Sequence, residues 1–528
     1  MKSPISKLAL EYPRAYENLN SQLSKGGTFK TFILKFLIVL SAFHFISKVP
    51  ILKGLVHTAK GLVAGHISEI QFIESLSMTQ VSKFVAPQLK SFLSDDVKDV
   101  VIIGSGPGAV VAAEIEMARG TKSICVIERG SNPKTAQSLH HSLTHVIQDF
   151  HQAGQELIVA RGFPLYAQAN VVGGGSEVNS GLYHNLPDQY VKGYANALGV
   201  NEGIWVAAEK QTHSLLAPEE MNVVPTQSLL ARGAKIHNLG FKNIPRWRTY
   251  FEDGSFQHRG TNEIYWNLNS KGPRLSILGD SEVVAISTQK SEFLEVTYRN
   301  TISGEKHVIR AKNIHVAAGA ISTPLLLARS GLIKWNDTRF SWHPMIRVVA
   351  STSTTDLGAG DIDPFQAWTA DRRLKFGAAV STPPLLSIAL GRPVSVKEAS
   401  KLRSFYVSYS SSGNGGLIPK VGLPWYKFSK LDRSLASEGV ALLEQLITSG
   451  GGKIINQEKL GNEKYSTVHI FGTLPIDGGI FIPGTNQLKV DSRIRVSDAS
   501  ILPFGPGVNP QGVVMTAVRI ANLSNFHE

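Results

Sequence analysis

A short segment that begins at Asp99 constrains the fold of this chain more than any other part of the sequence. It reads DVVIIGSGPGAVVAAE over residues 99–114, which predicts a buried strand, a glycine turn and a helix rich in alanine and valine. Gly104 permits a tight turn, and Gly106 lets the backbone approach a pyrophosphate seated on the helix N-terminus. Ala109 takes the third position of the G-x-G-x-x-G pattern, where a small residue still allows close helix–strand packing. The segment therefore predicts the first strand and helix of a dinucleotide-binding fold.

The next segment supplies the acidic residue that such a fold uses. A second strand is predicted over residues 123–127, and Glu128 follows it, 24 positions after Gly104. A carboxylate at that place can accept hydrogen bonds from a ribose diol. We find no second glycine motif with a strand before it and a helix after it. One tightly bound FAD therefore explains the sequence more simply than FAD together with a nicotinamide nucleotide.

Composition excludes several classes of protein. The chain has 528 residues, of which 42% are hydrophobic, so it can bury a sizeable core and is neither disordered nor collagenous. Cys125 is the only cysteine, which excludes an intramolecular disulfide, a cysteine-built zinc site, an iron–sulfur cluster and a CxxCH haem attachment. No metal site is predicted. The net charge of +13 favours an anionic neighbour such as a lipid surface, but no nucleic-acid-binding motif accompanies it.

Several later segments resemble the glucose–methanol–choline (GMC) flavoprotein oxidoreductases, and they occur in the order found in that family. The resemblance covers about residues 97–528. It implies an FAD-dependent enzyme that oxidises the CH–OH group of a small-molecule alcohol to an aldehyde or ketone, with O2 or another redox partner as electron acceptor. The middle of the chain looks closer to long-chain alcohol oxidases and cholesterol oxidases than to glucose oxidase. The matching segments are VVGGGSEVN (171–179), HVAAGAISTP (315–324), VSDASILP (496–503) and VNPQ (508–511).

The resemblance also implies which residues contact the cofactor. The glycine-rich loop at Gly174 would approach the flavin, and Asn179 would place an amide near the isoalloxazine. Asp498 matches an acid that the family holds close to the FAD phosphates and ribityl chain. The complete predicted set is Gly104, Gly106, Ala109, Glu128, Gly174, Gly175, Ser176, Asn179, Val283, Asp498, Asn509, Pro510 and Gln511.

His469 and Asn509 are the predicted catalytic pair. His469 lies in STVHIFGT, which resembles the family segment His-Pro-x-Gly-Thr with isoleucine in place of proline, and Asn509 precedes a helix predicted over residues 512–523. An alcohol has a pKa far above neutrality, so hydride cannot leave its carbon until a base shares the hydroxyl proton. An imidazole, with an ordinary pKa of about 6.5, suits that task. We predict that His469 is the base, that Asn509 holds the substrate oxygen, and that His343 is structural.

Other functions and substrates stay open at this point. The family includes hydroxynitrile lyases that use FAD structurally, and a membrane-surface protein that kept the fold without catalysis is a third alternative. The substrate is predicted to be a lipid-like alcohol, with a sugar or amino-sugar alcohol as the principal alternative. Seven aromatic residues could line an apolar pocket, although such side chains more often belong to the core: Trp342, Phe365, Trp368, Phe376, Tyr406, Tyr409 and Trp425.

The N-terminal region has its own pattern. The apolar stretch over residues 32–46 is shorter than the roughly 20 residues that a membrane-spanning helix needs. Lysines but no acidic residues occur between Glu17 and Glu69. This pattern leaves three alternatives: a helix on an anionic membrane surface, a helical hairpin packed on the protein body, or a span. We expect a cytoplasmic protein, which the first alternative would place on the inner face of a membrane.

The predicted fold class is α/β, with an α+β substrate part built on an antiparallel sheet. The predicted divisions are an N-terminal helical, basic extension (1–96), a Rossmann-type FAD-binding domain (97–198, 226–335 and 480–528) and a discontinuous substrate-binding domain (199–225 and 336–479).

Overall fold

The structure is a computed structural model of the chain. The apolar stretch over residues 32–46 lies outside the residues that it describes. Within the described part, no helix combines the length and the apolarity needed to cross a membrane. The described residues are 17, 19–21, 50–75, 97–133, 141–154, 156–251, 256–270, 274–288, 292–352, 362–456 and 465–523.

Helices and strands alternate along most of the described chain. The helices are α1 (Pro50–Ser75), α2 (Pro107–Ala118), α3 (Leu143–Asp149), α4 (Gly175–Val178), α5 (Asp188–Ala197), α6 (Glu202–Leu216), α7 (Leu229–Ile236), α8 (Thr261–Ser270), α9 (Ser322–Arg329), α10 (Pro383–Leu390), α11 (Val396–Ala399), α12 (Lys430–Ser449) and α13 (Gln511–Leu523). The strands are β1 (Lys98–Ile103), β2 (Ile124–Ile127), β3 (Glu156–Leu157), β4 (Leu165–Tyr166), β5 (Gly240–Asn243), β6 (Arg248–Tyr250), β7 (Phe256–His258), β8 (Leu275–Leu278), β9 (Ser281–Ser287), β10 (Leu294–Asn300), β11 (Lys306–Val316), β12 (Ser341–Trp342), β13 (Met345–Ser351), β14 (Phe365–Trp368), β15 (Lys375–Ala379), β16 (Leu402–Ser408), β17 (Asn414–Leu417), β18 (Pro424–Lys427), β19 (Lys453–Ile454), β20 (Tyr465–Thr467), β21 (Ile470–Phe471) and β22 (Ile494–Val496).

The first sheet carries the predicted dinucleotide-binding unit. Its order is β8–β2–β1–β11–β10–β9, and β22 pairs with the C-terminal end of β11. The pairs among β8, β2, β1, β11 and β22 are parallel, whereas β10 and β9 continue the sheet antiparallel. The last four residues of β1 are all buried, as a parallel strand covered on both faces requires. The α/β class with a Rossmann-type sheet is confirmed.

The second sheet is mainly antiparallel, and several of its strands line the cavity that the first sheet also lines. Its order is β3–β4–β20–β13–β16–β15–β14–β5, with β19 beside β13. Side chains alternate between its two faces, because successive residues of a strand point in opposite directions. Ile346 and Val407 belong to a hydrophobic cluster that includes residues of α12, whereas Arg347 and Tyr406 line a cavity on the other face.

Several short elements do not follow the predicted divisions. Strands β3 and β4, which the sequence assigned to the FAD-binding part, pair in the second sheet, and so does β5. Helix α6, which the sequence assigned to the substrate part, packs against α13 in the core of the first sheet. The partners of these segments lie far away in sequence, so local patterns carry no information about which sheet each segment joins.

The described part of the N-terminal extension is a helix packed against the protein body. Helix α1 contacts α10, and the approach is close: a Cβ added at Gly61 would lie 2.5 Å from the backbone oxygen of Ile388. The hydroxyl of Ser68 accepts a hydrogen bond from the backbone N–H of Val394 at 2.9 Å. Of the three alternatives for this region, residues 60–75 therefore agree with packing on the body.

Replacement of Glu69 with alanine is expected to lower the thermal unfolding temperature. Glu69 is 1% exposed and its carboxylate accepts hydrogen bonds from the backbone N–H groups of Leu143 at 3.0 Å and Thr144 at 2.8 Å, in the first turn of α3. Losing these bonds would leave buried donors unpaired, at a cost of about 1–3 kcal/mol. Differential scanning fluorimetry measures the change, with Glu74→Ala, an exposed position on the same helix, as the matched control. Equal melting temperatures for the two variants would contradict the conclusion that Glu69 stabilises the contact between α1 and α3.

Candidate active site

A large cavity lies between the two sheets. Its volume is about 1890 Å³, and its lining includes both the β1–α2 turn and the β13 and β16 strands. Sites for drug-sized ligands usually enclose about 300–1,000 Å³. The cavity therefore has room for a dinucleotide together with a substrate.

The β1–α2 turn has the geometry that a bound pyrophosphate needs. Gly104 has a φ of +98°, and a Cβ there would lie 2.2 Å from the backbone oxygen of Ala317, so only glycine fits. Helix α2 begins after Gly106, no described side chain caps its first turn, and Pro107 at its first position has no N–H. The remaining N–H groups of that turn are left for an anionic ligand.

Glu128 is fixed at the end of β2 by the same turn. Its carboxylate accepts hydrogen bonds from the backbone N–H of Ser105 at 3.0 Å, from the Ser105 hydroxyl at 2.7 Å and from the N–H of Gly130 at 2.8 Å. Burial raises the pKa of Glu128, and these hydrogen bonds oppose the increase. The carboxylate lines the cavity in a fixed orientation, as a group that receives ribose hydroxyls requires.

The predicted flavin loop passes close to the β1–α2 turn. A Cβ added at Gly174 would lie 2.8 Å from the Cα of Gly106, so glycine is needed where the two loops meet. The Nδ2 of Asn179 donates to Oε1 of Gln511 at 2.6 Å, and its Oδ1 accepts from the N–H of Gly181 at 2.7 Å. The bond to Gln511 ties the predicted flavin loop to the N-terminus of α13.

Asp498 connects the ends of β22 and β11. Its Oδ2 accepts hydrogen bonds from the N–H of Gly319 at 2.8 Å and from the Thr323 hydroxyl at 2.5 Å, and its Oδ1 accepts from the N–H of Ser500 at 2.8 Å. Burial raises the pKa of Asp498. The carboxylate thus holds the strand–turn–helix at residues 318–324 beside the cavity.

Two members of the predicted cofactor set lie behind the cavity wall. Ala109 is fully buried in the packing of α2 on the first sheet. Ser176 is also fully buried, and its hydroxyl donates to the backbone oxygen of Gly173 at 2.8 Å. Neither side chain reaches the cavity, because each is used in packing or hydrogen bonding inside the protein. The predicted residues that line the cavity are Gly104, Gly106, Glu128, Gly174, Gly175, Asn179, Val283, His469, Asp498, Asn509, Pro510 and Gln511.

His469 lies in the link between β20 and β21 and faces the cavity with little exposure. Its side chain is 9% exposed, and its backbone N–H donates to the Thr467 hydroxyl at 2.9 Å. Burial, together with the positive charges of Lys375 and Arg347, lowers the pKa of His469 to about 3. The imidazole is therefore neutral at physiological pH and has a nitrogen lone pair available for a proton.

His343 stands directly behind this imidazole. Its Nδ1 lies 3.4 Å from Nδ1 of His469, and its backbone N–H donates to the His469 oxygen at 3.0 Å. Its Nε2 lies 3.4 Å from the Ser410 hydroxyl. Burial and the neighbouring His469 and Lys375 lower the pKa of His343 well below its usual value. His343 does not line the cavity, so its contacts bear on the orientation of His469.

Lys375 is a residue of the site that the sequence analysis missed. Its Nζ donates a hydrogen bond to Oδ1 of Asn509 at 2.5 Å, and its side chain is 4% exposed. Burial lowers the pKa of Lys375 to about 7, and within the described part of the chain no carboxylate contributes to that pKa. The sequence feature that could have indicated Lys375 is a lysine within the apolar strand β15. No motif marks this lysine as functional.

The predicted aromatic pocket is not formed as a unit. Of the seven aromatic candidates, Tyr406 lines the cavity. Trp342, Phe376 and Tyr409 are buried in hydrophobic clusters instead, and Trp425 is 38% exposed. Large aromatic side chains supply core packing more often than pocket walls, and that use explains their positions here.

Two comparisons with known proteins name the same family, the GMC oxidoreductases. A family model for GMC oxidoreductases matches residues 148–345. An uncharacterised GMC-type oxidoreductase of Sinorhizobium fredii is 28% identical over 81% of this chain and 95% of its own length. A 5-(hydroxymethyl)furfural oxidase of a Methylovorus species is 23% identical over 81% of this chain and 99% of its own. A long-chain-alcohol oxidase of Arabidopsis thaliana is 26% identical over 48% of this chain and 38% of its own. Among solved structures, pyridoxine 4-oxidase from Mesorbium loti superposes with a TM-score of 0.64 at 15% identity, covering 82% of this chain and all of that one.

Proposed function

Since the chain belongs to the GMC oxidoreductase family of FAD-dependent enzymes that act on CH–OH donors, we propose that it oxidises a primary or secondary alcohol to an aldehyde or ketone with His469 as the base. Bound FAD would supply the acceptor for the hydride that leaves the substrate carbon. Three of the four proteins named above are called oxidases, which supports O2 as the electron acceptor. The observation that carries the proposal is that His469 and Asn509 line the same cavity as the glycine turn and Glu128.

The hydrogen bonds around the pair support the choice of one atom for each step. Because Nδ1 of His469 lies against His343, its Nε2 is the nitrogen left to take the hydroxyl proton. Because Oδ1 of Asn509 accepts from Lys375, its Nδ2 is the group left to donate to the substrate oxygen. A substrate hydroxyl held between these two nitrogens would lie in a fixed orientation, and such positioning lowers the barrier to reaction.

Anaerobic reduction of the flavin tests the proposal. The relatives are named for 5-(hydroxymethyl)furfural, long-chain alcohols and pyridoxine, so these three alcohols form the first panel, with a sugar alcohol added. We expect the yellow absorbance to bleach with at least one of them and an aldehyde to appear. Aldehyde release from a cyanohydrin without bleaching would favour a lyase, and the absence of bleaching with every alcohol would contradict the proposal.

Lys375→Met is expected to slow catalysis and to stabilise the fold. Without the bond from Lys375, the Asn509 amide can rotate, and we expect kcat to fall about 10- to 100-fold, as for other misplaced groups. The free energy of unfolding is expected to rise in the variant, although its activity falls. The reason is that the pKa of Lys375 is about 7 in the folded protein, below the value of about 10.4 expected for an unfolded lysine. The unfolded state binds more protons between these two pH values, so the buried lysine costs stability as the pH falls from about 10.4 to about 7.

Two measurements check this variant. Steady-state kinetics gives kcat, and thermal unfolding at pH 7 and at pH 10 gives the stability difference, which we expect to be larger at pH 7. Lys401→Met, an exposed position beside β16, is the matched control and should change neither quantity. An unchanged kcat for Lys375→Met would remove the lysine from the positioning of Asn509.

A further inference from the structure

Arg347 is a second positive charge beside the catalytic imidazole. It lies on β13, opposite Tyr406 of β16, and both side chains line the cavity. The Nη1 of Arg347 donates to the hydroxyl of Ser466, three residues before His469. Burial lowers the pKa of Arg347 below its usual value, although the guanidinium stays charged.

Neither Arg347 nor Lys375 forms an ion pair with an acidic residue in the described part of the chain. The pKa of Arg347 responds to burial and to Tyr406, and the pKa of Lys375 responds to burial alone. A buried charge without a partner of opposite sign is costly. Lys375 is buried, whereas Arg347 is partly exposed and lines the cavity, so a negatively charged group of a ligand can reach the guanidinium beside the imidazole.

The acidic residues of the cavity are already used elsewhere. Glu128 and Asp498 accept hydrogen bonds from backbone N–H groups at the first sheet. Glu156 contacts His151, Tyr166 and Gln168, and Glu282 pairs with Arg299. These four are the carboxylates that the described lining contains: Glu128, Glu156, Glu282 and Asp498.

The cofactor does not account for these charges either. The FAD phosphates belong at the N-terminus of α2, where free N–H groups face the cavity. Arg347 lies instead on the second sheet, in contact with the segment that carries His469. The position is that of the substrate, and not that of the pyrophosphate.

We propose that the alcohol oxidised by this enzyme carries a carboxylate, which the guanidinium of Arg347 binds while the hydroxyl group meets His469. The inference rests on the proposed function, because it names the substrate class of the same site. A planar guanidinium matches a carboxylate in geometry and charge. The bound carboxylate would also offset the positive charges that lower the pKa of His469, and so make the imidazole a stronger base when substrate is present.

A pair of substrates that differ in charge and by one methyl group tests the inference. With the FAD-loaded enzyme, kcat/KM is measured for 4-(hydroxymethyl)benzoate and for its methyl ester. We expect the acid to be preferred by at least about tenfold, and Arg347→Met to reduce the acid-to-ester ratio by at least about 30-fold, as for the loss of one partner of a buried charge pair. If Arg347 had a purely structural role, its replacement would lower kcat/KM for both substrates by the same factor and leave the acid-to-ester ratio unchanged. Arg339→Met, an exposed arginine just before β12 that does not line the cavity, is the matched control.

Binding of benzoate, measured by calorimetry on the FAD-loaded enzyme, separates this inference from the proposed function. Reduction of the flavin by the ester, with no preference for the acid and no benzoate binding, would overturn the inference and leave alcohol oxidation in place. Benzoate binding that depends on Arg347, without flavin reduction by either alcohol, would support the anion site and overturn the proposed function. If Arg347→Met does not fold, Arg347→Lys serves, and we expect it to retain benzoate binding with weaker affinity because the charge is kept.

Discussion

His469→Ala is expected to lower the rate constant for anaerobic flavin reduction by an alcohol about 100- to 10,000-fold, the usual contribution of a general base. In the described part of the chain, His469 and Asn509 both line the cavity, whereas His343 lies behind the imidazole and does not reach the cavity. Alanine removes the proton acceptor and leaves a small space that water can enter. The hydroxyl proton then has no fixed acceptor, and hydride transfer would have to proceed from the neutral alcohol.

Stopped-flow absorbance under anaerobic conditions measures this rate constant. The FAD content of the variant is measured at the same time and should be unchanged, because His469 does not contact the β1–α2 turn. His307→Ala, an exposed histidine on β11, is the control and should reduce the flavin at the normal rate. If His469→Ala reduced flavin as fast as the unaltered protein, the base would have to be another group.

Gly106→Val is expected to yield a folded protein that purifies without FAD. The backbone at Gly106 is extended, with φ of −72° and ψ of −173°, so a branched residue can adopt it. A Cβ there would meet no protein atom closer than the Cα of Gly174 at 4.0 Å. The added methyl groups would enter the space between the two glycine loops, where the pyrophosphate belongs. We expect the affinity for FAD to fall by at least about 100-fold, equivalent to about 2.8 kcal/mol.

The ratio of flavin to protein absorbance and a titration with added FAD measure this affinity. Gly106→Ala adds a single carbon and should weaken binding less, which gives a graded series at one position. The unaltered protein stripped of FAD is the reference for folding, and its circular dichroism should match that of Gly106→Val. Normal FAD content in the valine variant would mean that the pyrophosphate lies elsewhere in the cavity.

The sequence predicts those parts of the site in which the function of a residue depends on its neighbours in sequence. The β1–α2 turn requires glycine at position 104, because the φ angle there is positive and the backbone of Ala317 is close. Both requirements are visible in the sequence as a glycine at this position of the motif. Glu128 follows β2 directly and Asp498 follows β22 after one residue, so the sequence predicts that both lie at the same edge of the sheet. The helix that begins at Gln511 is predicted to within one residue.

The parts that the sequence does not predict depend on which distant strands become neighbours. Lys375 and Arg347 look like ordinary polar positions of two strands, and no motif surrounds either one. Their convergence on His469 results from the order β20–β13–β16–β15 in the second sheet, which local residues do not specify. For the same reason the aromatic residues were a poor guide to the pocket, because burial in a core and exposure to a cavity require the same side chains.

Helix α10 lies between the N-terminal helix and the cavity. Ile388 lines the cavity, and on its other side the backbone of the same residue touches Gly61 of α1. Helix α1 therefore supports the cavity wall at Ile388 from the outside, although none of its described residues lines the cavity. A chain shortened to begin at the glycine motif would keep every catalytic group and leave that wall without its outer support.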